Sequence, residues 1–219
     1  MKKKIQFASP LINFKEKKEV LKVLSSGIYS QGSQCKKFEQ NFKRFTNAKF
    51  ACTVNSCTSG MHLFYSCIGL KKGDEVIVPA QTHVATAHAV ELTGAKPIFI
   101  DCNLDDGNID LDKIENKINK RTKAICIVHF LGFPAEMNKL LKITKKYRIY
   151  LLEDCALSLG AKFQNTHTGL WGDAGVFSFY PTKQITSGEG GMIITNNKKL
   201  FKKINLRKSL GVQQSFLER

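Results

Sequence analysis

Strand-like and helix-like segments alternate along this chain from residue 50 onward. Short apolar runs such as 50–54, 75–78 and 97–100 are separated by helical segments of about ten to fifteen residues. Strands joined through helices in this way need right-handed crossovers, and the helices then cover both faces of the sheet. The sequence therefore predicts an α/β fold with a mostly parallel sheet, in which ligands bind outside the carboxyl ends of the strands.

The same patterns predict the individual elements. Phe38, Phe42 and Phe45 fall at i, i+4 and i+7, which indicates an amphipathic helix with a core-facing aromatic stripe. The predicted strands are 50–54, 75–78, 97–100, 123–128, 149–152 (followed by Glu153-Asp154), 174–179 and 192–195, and the other predicted helices are 16–24, one ending near Leu70, 82–92, 111–118, 137–147 and 198–210.

Composition indicates a globular protein with a core of its own. The chain has 219 residues, of which 42% are apolar and 10% aromatic, and this is far from the composition of a disordered chain. The start, Met1-Lys-Lys-Lys4, is basic, but the segment 5–10 is too short and mixed for a signal-peptide core. No apolar run approaches the ~18 residues of a membrane span. We expect a soluble, cytoplasmic protein that does not contact a membrane.

The cysteines do not indicate a metal site. There are seven, an odd number, and no two form a Cys-x-x-Cys pair. Several fall inside predicted strands or helices, where cysteine behaves as a small apolar residue. We expect reduced structural thiols and neither a zinc nor an iron–sulfur site.

The net charge of +16 raises the question of nucleic-acid binding. Only five of the 34 basic residues are arginines, and the lysines are spread over most of the predicted helices. Arginine is the residue best suited to bidentate contacts with bases and phosphates. We therefore interpret the charge as solvated helix faces that help to attract an anionic small substrate. A basic nucleic-acid-binding or regulatory protein remains the alternative from another class.

The loop between the last two predicted strands contains one isolated lysine, Lys183. It stands among Pro, Ser, Thr and Gly residues in the segment 178–191, whereas the other lysines come in surface clusters. A partly desolvated lysine at a strand end can lose its proton and form a Schiff base with an aldehyde. The alternative is an ordinary solvated loop lysine.

Three other candidates follow strands of the same predicted sheet. The segment 55–60 offers hydroxyls and backbone amides to an anion at a helix start, or else Ser56 or Thr58 simply caps that helix. Asp154 ends a strand, where it either caps the next segment or pairs with a ligand cation. His83 begins a helix and is either structural or faces a ligand. An anion cradle, an acid, a flat ring and a reactive lysine together fit one cofactor, pyridoxal 5'-phosphate (PLP).

These motifs resemble the DegT/DnrJ/StrS group of sugar-nucleotide aminotransferases, which have the aspartate aminotransferase fold (fold type I). The resemblance runs from about Leu24 to Leu210, and its most specific parts are Val54-Asn-Ser-Cys-Thr-Ser-Gly-Met-His62, Gly73-Asp-Glu-Val-Ile-Val-Pro79, Glu153-Asp154, Phe177-Ser-Phe-Tyr-Pro-Thr-Lys183 and Gly188-Glu-Gly-Gly191.

The resemblance assigns a role to each candidate. It implies that Lys183 holds PLP as a Schiff base and that Asp154 pairs with the pyridine nitrogen. It also implies phosphate contacts from Ser178, Thr58 and the backbone at Cys57, with His83 stacking on the ring. The implied reaction transfers an amino group, with glutamate as the expected donor, to a nucleotide-linked keto-sugar, in the biosynthesis of amino sugars and surface polysaccharides. The implied assembly is a homodimer.

The sequence departs from this family at two places. Leu157 stands where the family usually has Gln or His in contact with the phenolic oxygen of PLP, so that hydrogen bond should be missing. The family also continues into a loop that serves the partner subunit and a small C-terminal domain. We therefore expect residues 1–219 to be a PLP-binding large domain without the small domain, and an inactive PLP-binding remnant is the alternative.

Overall fold

The computed structural model describes Ile5, residues 8–209 and Gly211. Its centre is a seven-stranded sheet with the strand order β1-β9-β8-β5-β4-β2-β3. All neighbouring strands are parallel except β9, which runs antiparallel to both β1 and β8. The prediction of a mostly parallel sheet is confirmed. The strands are β1 (Phe50–Val54), β2 (Glu75–Pro79), β3 (Lys96–Ile100), β4 (Thr122–Val128), β5 (Tyr150–Asp154), β8 (Ala174–Ser178) and β9 (Gly191–Thr195), and β6 (Lys162–Phe163) and β7 (Thr166–His167) form a separate hairpin.

The described part of the chain contains seven α-helices. They are α1 (Phe14–Ser26), α2 (Ser33–Thr46), α3 (Cys57–Ile68), α4 (Val84–Glu91), α5 (Leu111–Ile114), α6 (Met137–Tyr147) and α7 (Lys198–Arg207). The bounds of α6 agree with the prediction, whereas the helix predicted at 111–118 is one α-turn followed by a 3₁₀ turn at Glu115–Lys117. Leu210, the predicted end of the last helix, lies outside the described residues. Within those residues, no helix combines the length and apolarity needed to cross a bilayer.

Alternate strand residues face two cores, as the side-chain period of a β-strand requires. In β5, Leu152 packs with α3, α4 and α7 on one face, while Leu151 packs with α5 and α6 on the other. A third cluster packs α2 against β8 and β9 through Phe177 and Ile194. The predicted helices on both faces of the sheet are therefore confirmed.

Two of the three predicted positions of the aromatic stripe of α2 pack into the core, Phe42 fully buried and Phe38 partly buried. The rings of Phe42 and Phe177 lie 5.0 Å apart between centroids, and Phe38 packs on Phe179 at the same distance. Phe45 is 60% exposed, so its assignment to the core was wrong. It lies in the last turn of α2, where its aromatic neighbour is His167 in the β6–β7 hairpin at 5.7 Å.

Candidate active site

The carboxyl ends of the parallel strands place several loops at one edge of the sheet. Register pairs Asp154 of β5 with Val176 of β8, and Ser178 of β8 with Gly191 of β9. The loops after β1, β2, β4 and β5 therefore open toward the loop that joins β8 to β9. This edge is where open α/β sheets bind ligands.

Asp154 lies at the centre of this edge and is only 4% exposed. Its Oδ2 accepts a hydrogen bond of 2.9 Å from the hydroxyl of Thr86, and its Oδ1 accepts one of 3.1 Å from the Ala156 amide. Burial raises the pKa of the Asp154 carboxyl above its usual value, while these two donors and the charge of Lys183 lower it in part. The site thus contains a buried carboxyl group whose charged form is favoured by two hydrogen-bond donors and one positive charge.

Lys183 lies in the loop between β8 and β9 and is half-buried. Its loop follows β8, the neighbour of the strand that ends at Asp154, and its positive charge partly offsets the burial that raises the pKa of Asp154 and of the Cys57 thiol. No salt bridge among the described residues includes the Lys183 amine. The next residue, Gln184, donates a hydrogen bond from its side-chain amide to the carbonyl of Leu157, which ties this loop to the loop after β5.

The start of α3 lies at the same edge. Ser56 caps the helix by accepting a 3.1 Å hydrogen bond from the amide of Ser59. The amides of Cys57 and Thr58 have no acceptor within the described part of the chain. Unpaired amides at a helix start attract anions, so both readings of the segment 55–60 are compatible with the structure: Ser56 is the cap, and the next two amides are available to a phosphate.

Gly191 allows β9 to approach the start of α3. A Cβ atom at this position would lie 2.8 Å from the Cys57 nitrogen and 2.7 Å from the Ser56 carbonyl carbon. Ser178, its register partner on β8, is half-buried, and its hydroxyl accepts from the amide of Tyr180 at 3.4 Å. The predicted phosphate contacts, Thr58, Ser178 and the backbone at Cys57, thus lie around one short stretch of the sheet edge.

The Cys57 side chain does not share the orientation of its backbone amide. Its Sγ lies 3.8 Å from Oδ1 of Asp154 and 3.7 Å from the carbonyl oxygen of Val176. Burial and, next, the Asp154 charge raise the pKa of the Cys57 thiol well above its usual value. The thiol is therefore a weak neutral donor beneath the carboxylate rather than a nucleophile.

His83 is the N-cap of α4, and its ring is exposed. Its Nδ1 accepts a 3.1 Å hydrogen bond from the amide of Ala85. This is the structural role that the sequence left open. The capping bond fixes the plane of the ring at the ligand edge, and the stacking role implied by the resemblance stays a prediction.

Sequence reasoning missed Thr86, which contacts Asp154 directly. Thr86 is fully buried in the first turn of α4, and its hydroxyl is also 2.8 Å from that of Thr82. A weak signal was available, because a threonine inside a helix has a hydroxyl that must find a partner. The partner, 68 residues away in the sequence, could not be read from the pattern.

Glu153, next to Asp154, points the opposite way into a buried hydrogen-bond network. Its carboxylate accepts from the amides of Gly169, Trp171 and Gly172 at 2.6–2.8 Å and from Nε2 of His129 at 2.9 Å. His129, Glu153 and Cys155 bring potential metal ligands within 4.8 Å of one another. Because both Glu153 oxygens are already occupied by N–H donors, we interpret this cluster as a scaffold that fixes the loop 168–172.

An open groove of about 750 Å³ lies beside this site, at the ends of β2, β3 and β4. The six predicted site residues do not line it. Its walls combine apolar residues of the segment 130–133 with the acidic segment 101–107, and Leu131 there has a left-handed backbone with φ of 49°. The chemistry of Asp154 and Lys183 therefore lies next to the groove and not inside it.

Comparison with known proteins identifies the family. Residues 10–218 match the DegT/DnrJ/EryC1/StrS aminotransferase family. The chain belongs to this family. Membership agrees with the resemblance drawn from the motifs around Lys183 and Asp154, and that prediction is confirmed.

Relatives in this aminotransferase family are similar over most of the chain. Protein MJ1066 of Methanocaldococcus jannaschii is 40% identical over 210 residues, which are 96% of this chain and 54% of that protein. GDP-perosamine synthase of Escherichia coli O157:H7 is 39% identical over 200 residues, or 91% of this chain and 55% of the enzyme. The chain thus spans about half the length of the curated relatives it matches.

Solved structures show the same fold. Helicobacter pylori PseC, an aminotransferase involved in pseudaminic acid biosynthesis, superposes with a TM-score of 0.91 at 35% identity, covering 99% of this chain and 59% of PseC. The predicted fold, that of the large domain of PLP-dependent transferases of fold type I, is confirmed by this and other aminotransferase structures.

Proposed function

We propose that this chain is the PLP-binding part of an aminotransferase that acts on a nucleotide-linked keto-sugar. The observation that carries the proposal is the placement of a buried Asp154 at the end of β5 and a half-buried Lys183 in the loop after β8, the neighbouring parallel strand, so that both lie at the same edge of the sheet. Family membership and the similarity to GDP-perosamine synthase and PseC support the substrate class.

The residues present fit PLP at each of its functional groups. The amides of Cys57 and Thr58 lack acceptors within the described chain, and with the hydroxyls of Thr58 and Ser178 they would hold the phosphate. Asp154 would hold the proton of the pyridine nitrogen, and Lys183 would carry the aldehyde carbon. His83 would cover the ring. PLP, when bound, supplies an electron sink that stabilises negative charge at the substrate carbon.

The chain's own contribution is to hold charge and to move protons. An Asp154 carboxylate would favour a protonated pyridine nitrogen, because opposite charges attract strongly in a buried site. The amine of Lys183 would be the base that takes the proton from the amino-donor carbon and the acid that returns it. The hydrogen bond from Gln184 to the Leu157 carbonyl would hold the lysine loop to the loop after β5.

Leu157 is the departure that would distinguish this site from the usual family site. Its side chain is apolar and half-buried, and only its carbonyl makes a hydrogen bond within the described residues. Without a side-chain donor there, the phenolic oxygen of PLP would be held less firmly. We propose that PLP would bind here with one side-chain hydrogen bond fewer than in the usual family site.

We further propose glutamate as the amino donor, a homodimer as the assembly, the cytoplasm as the location, and amino-sugar or surface polysaccharide biosynthesis as the pathway class. The names of GDP-perosamine synthase and of the Bacillus subtilis spore coat polysaccharide biosynthesis protein SpsC support the pathway class. Residues 1–219 would form the large domain of such an enzyme.

The test uses the purified full chain with PLP and glutamate. We expect PLP to bind with a visible absorbance band and glutamate to bleach that band while 2-oxoglutarate forms in equal amount. Lys183→Ala should abolish both signals, whereas Lys96→Ala, an exposed lysine at the opposite end of a strand, should leave them unchanged. PLP binding without 2-oxoglutarate would identify an inactive remnant, and an unchanged Lys183→Ala variant would refute the assignment.

A further inference from the structure

A chain of two hydroxyls leads from the ligand edge to the buried Asp154. Thr82, half-buried in the loop before α4, has its Oγ1 2.8 Å from that of Thr86. Thr86, fully buried, donates to Oδ2 of Asp154 at 2.9 Å. Because the single Thr86 proton is directed to Asp154, the bond between the two threonines must come from the Thr82 hydroxyl. Both hydrogen bonds therefore donate in the direction of the Asp154 carboxylate.

The hydroxyl of Thr86 bonds outside its own helix. A helical threonine hydroxyl often bonds to the carbonyl three or four residues earlier, but Thr86 lies in the first turn of α4, so the corresponding residues, Thr82 and His83, precede the helix. The hydroxyl of Thr86 crosses to β5 instead. A hydrogen bond to an ionised group is about twice as strong as one between neutral groups, so this contact is worth most when Asp154 carries its charge.

We propose that Thr86, supported by Thr82, is a positioning residue that keeps the Asp154 carboxylate oriented and ionised in its buried site. The Ala156 amide and the Cys57 thiol approach the other oxygen, Oδ1. Among the described residues, Thr86 is thus the group that donates a hydrogen bond to Oδ2. This inference rests on the proposed function for its biological meaning, because a charged Asp154 is what the pyridine nitrogen would require.

Other titratable groups also face Asp154 and must be held constant in any test. They act through their charge or through burial beside the carboxyl, from α3, from β4 and its following loop, from the loop after β5, and from the lysine loop. They are Cys57, Tyr65, Cys126, Cys155, His129 and Lys183. Comparing two variants at one position, Thr86→Val and Thr86→Ser, leaves all of them unchanged.

The decisive experiment needs no cofactor. Urea unfolding of the apoprotein is measured for Thr86→Val, which keeps the shape, and Thr86→Ser, which keeps the donor, at pH 4.5 and at pH 8. We expect the ratio of their unfolding equilibrium constants to be about tenfold larger at pH 8, which favours the charged form of Asp154, than at pH 4.5, which favours the neutral form. A ratio that is the same at both pH values would overturn the proposal, because a packing role is independent of pH.

Two further variants keep the test falsifiable. In an Asp154→Asn background the pH dependence of the ratio should vanish, and its persistence would mean that another group is responsible. If Thr86→Val does not fold, Thr82→Val removes only the outer, half-buried hydroxyl. It should weaken folding about threefold more at pH 8 than at pH 4.5, and equal weakening at both pH values would overturn the proposal.

A second readout separates this inference from the proposed function. PLP should bind Thr86→Val about tenfold more weakly than Thr86→Ser, and equal affinities would contradict the positioning role. If the unmodified chain fails to bind PLP, the proposed function fails, while the pH dependence of the apoprotein still decides the role of Thr86.

Discussion

His129 donates a 2.9 Å hydrogen bond from Nε2 to Oε2 of Glu153, and both side chains are completely buried. The Nδ1 of His129 accepts from the amide of Ala135 at 3.1 Å, so the ring proton lies on the nitrogen that faces Glu153. The network joins the loop after β4, the end of β5 and the loop 168–172. The network holds these three segments together, while the next residue of the same strand, Asp154, faces the ligand edge.

Glu153→Gln should therefore destabilise the fold strongly. The glutamine amide group is a donor, and it would face two of the four N–H groups that now bond to the carboxylate. We expect the free energy of unfolding to fall by about 3 kcal/mol, measured by urea denaturation. The matched control, Glu91→Gln on the exposed end of α4, should be indistinguishable from the unmodified protein. Equal effects of the two changes would show that the network does not support the fold.

Asp154→Asn should separate stability from cofactor binding. Burial raises the pKa of Asp154, so its charge costs stability that is regained as the pH falls through the raised value. The asparagine side chain can accept a hydrogen bond from the Ala156 amide and donate one to Thr86. We therefore expect the free energy of unfolding at pH 8 to stay the same or to increase. Affinity for PLP should drop at least about tenfold, measured by fluorescence titration. Asp105→Asn, on the neighbouring groove, is the control, and retained PLP affinity in Asp154→Asn would contradict the role of the acid.

Gly191→Ala tests the close approach of β9 to α3. The new methyl group would lie 2.7–2.8 Å from backbone atoms of Ser56, Cys57 and Phe177, which cannot move aside as a side chain can. We expect a loss of about 3 kcal/mol in the free energy of unfolding, together with weaker PLP binding. Gly69→Ala has open space around its Cβ and only a positive φ of 83°, so it should cost about 1 kcal/mol. A smaller loss at 191 than at 69 would argue against the contact.

Acid should weaken the fold through His167. Its Nε2 accepts from the Gly160 amide at 3.0 Å, and burial lowers the pKa of the ring. The unfolded chain then binds the proton more readily, so stability present above about pH 6.5 is lost as the pH falls through the lowered pKa. The expected slope is at most ~1.4 kcal/mol per pH unit. His167→Gln should remove this slope in urea unfolding, whereas His88→Gln, on an exposed helix position, should keep it.

The elements that sequence reasoning placed well are those whose pattern is local. In α6 the apolar residues recur at helical spacing between Met137 and Tyr147, and Arg148 ends the helix in a left-handed conformation. The strands that end at Asp154 and Ser178 were also clear, because each is an apolar run with a polar residue at its carboxyl end. Those two runs sufficed to predict that the acid and the lysine loop share one edge.

What could not be predicted depends on distant partners. The β6–β7 hairpin has strands of two residues, and its only local signal is the turn Gln164-Asn165, where both residues have positive φ. No local period in the sequence indicates that β9 lies between β1 and β8 and runs antiparallel to both. Phe45 and Thr86 were misjudged or missed for the same reason: burial and hydrogen-bond partners are set by the assembled sheet.

The position of β1 has a consequence for synthesis on the ribosome. In the described sheet β1 lies at the edge and its neighbour is β9, the last of the described strands in sequence order. A nascent polypeptide that has not yet reached Gly191 therefore carries a completed β1 without the strand that pairs with it in this sheet. Among the described strands β1 is translated first and should be the last to enter the sheet, and until then its unpaired edge is open to chaperones and to aggregation.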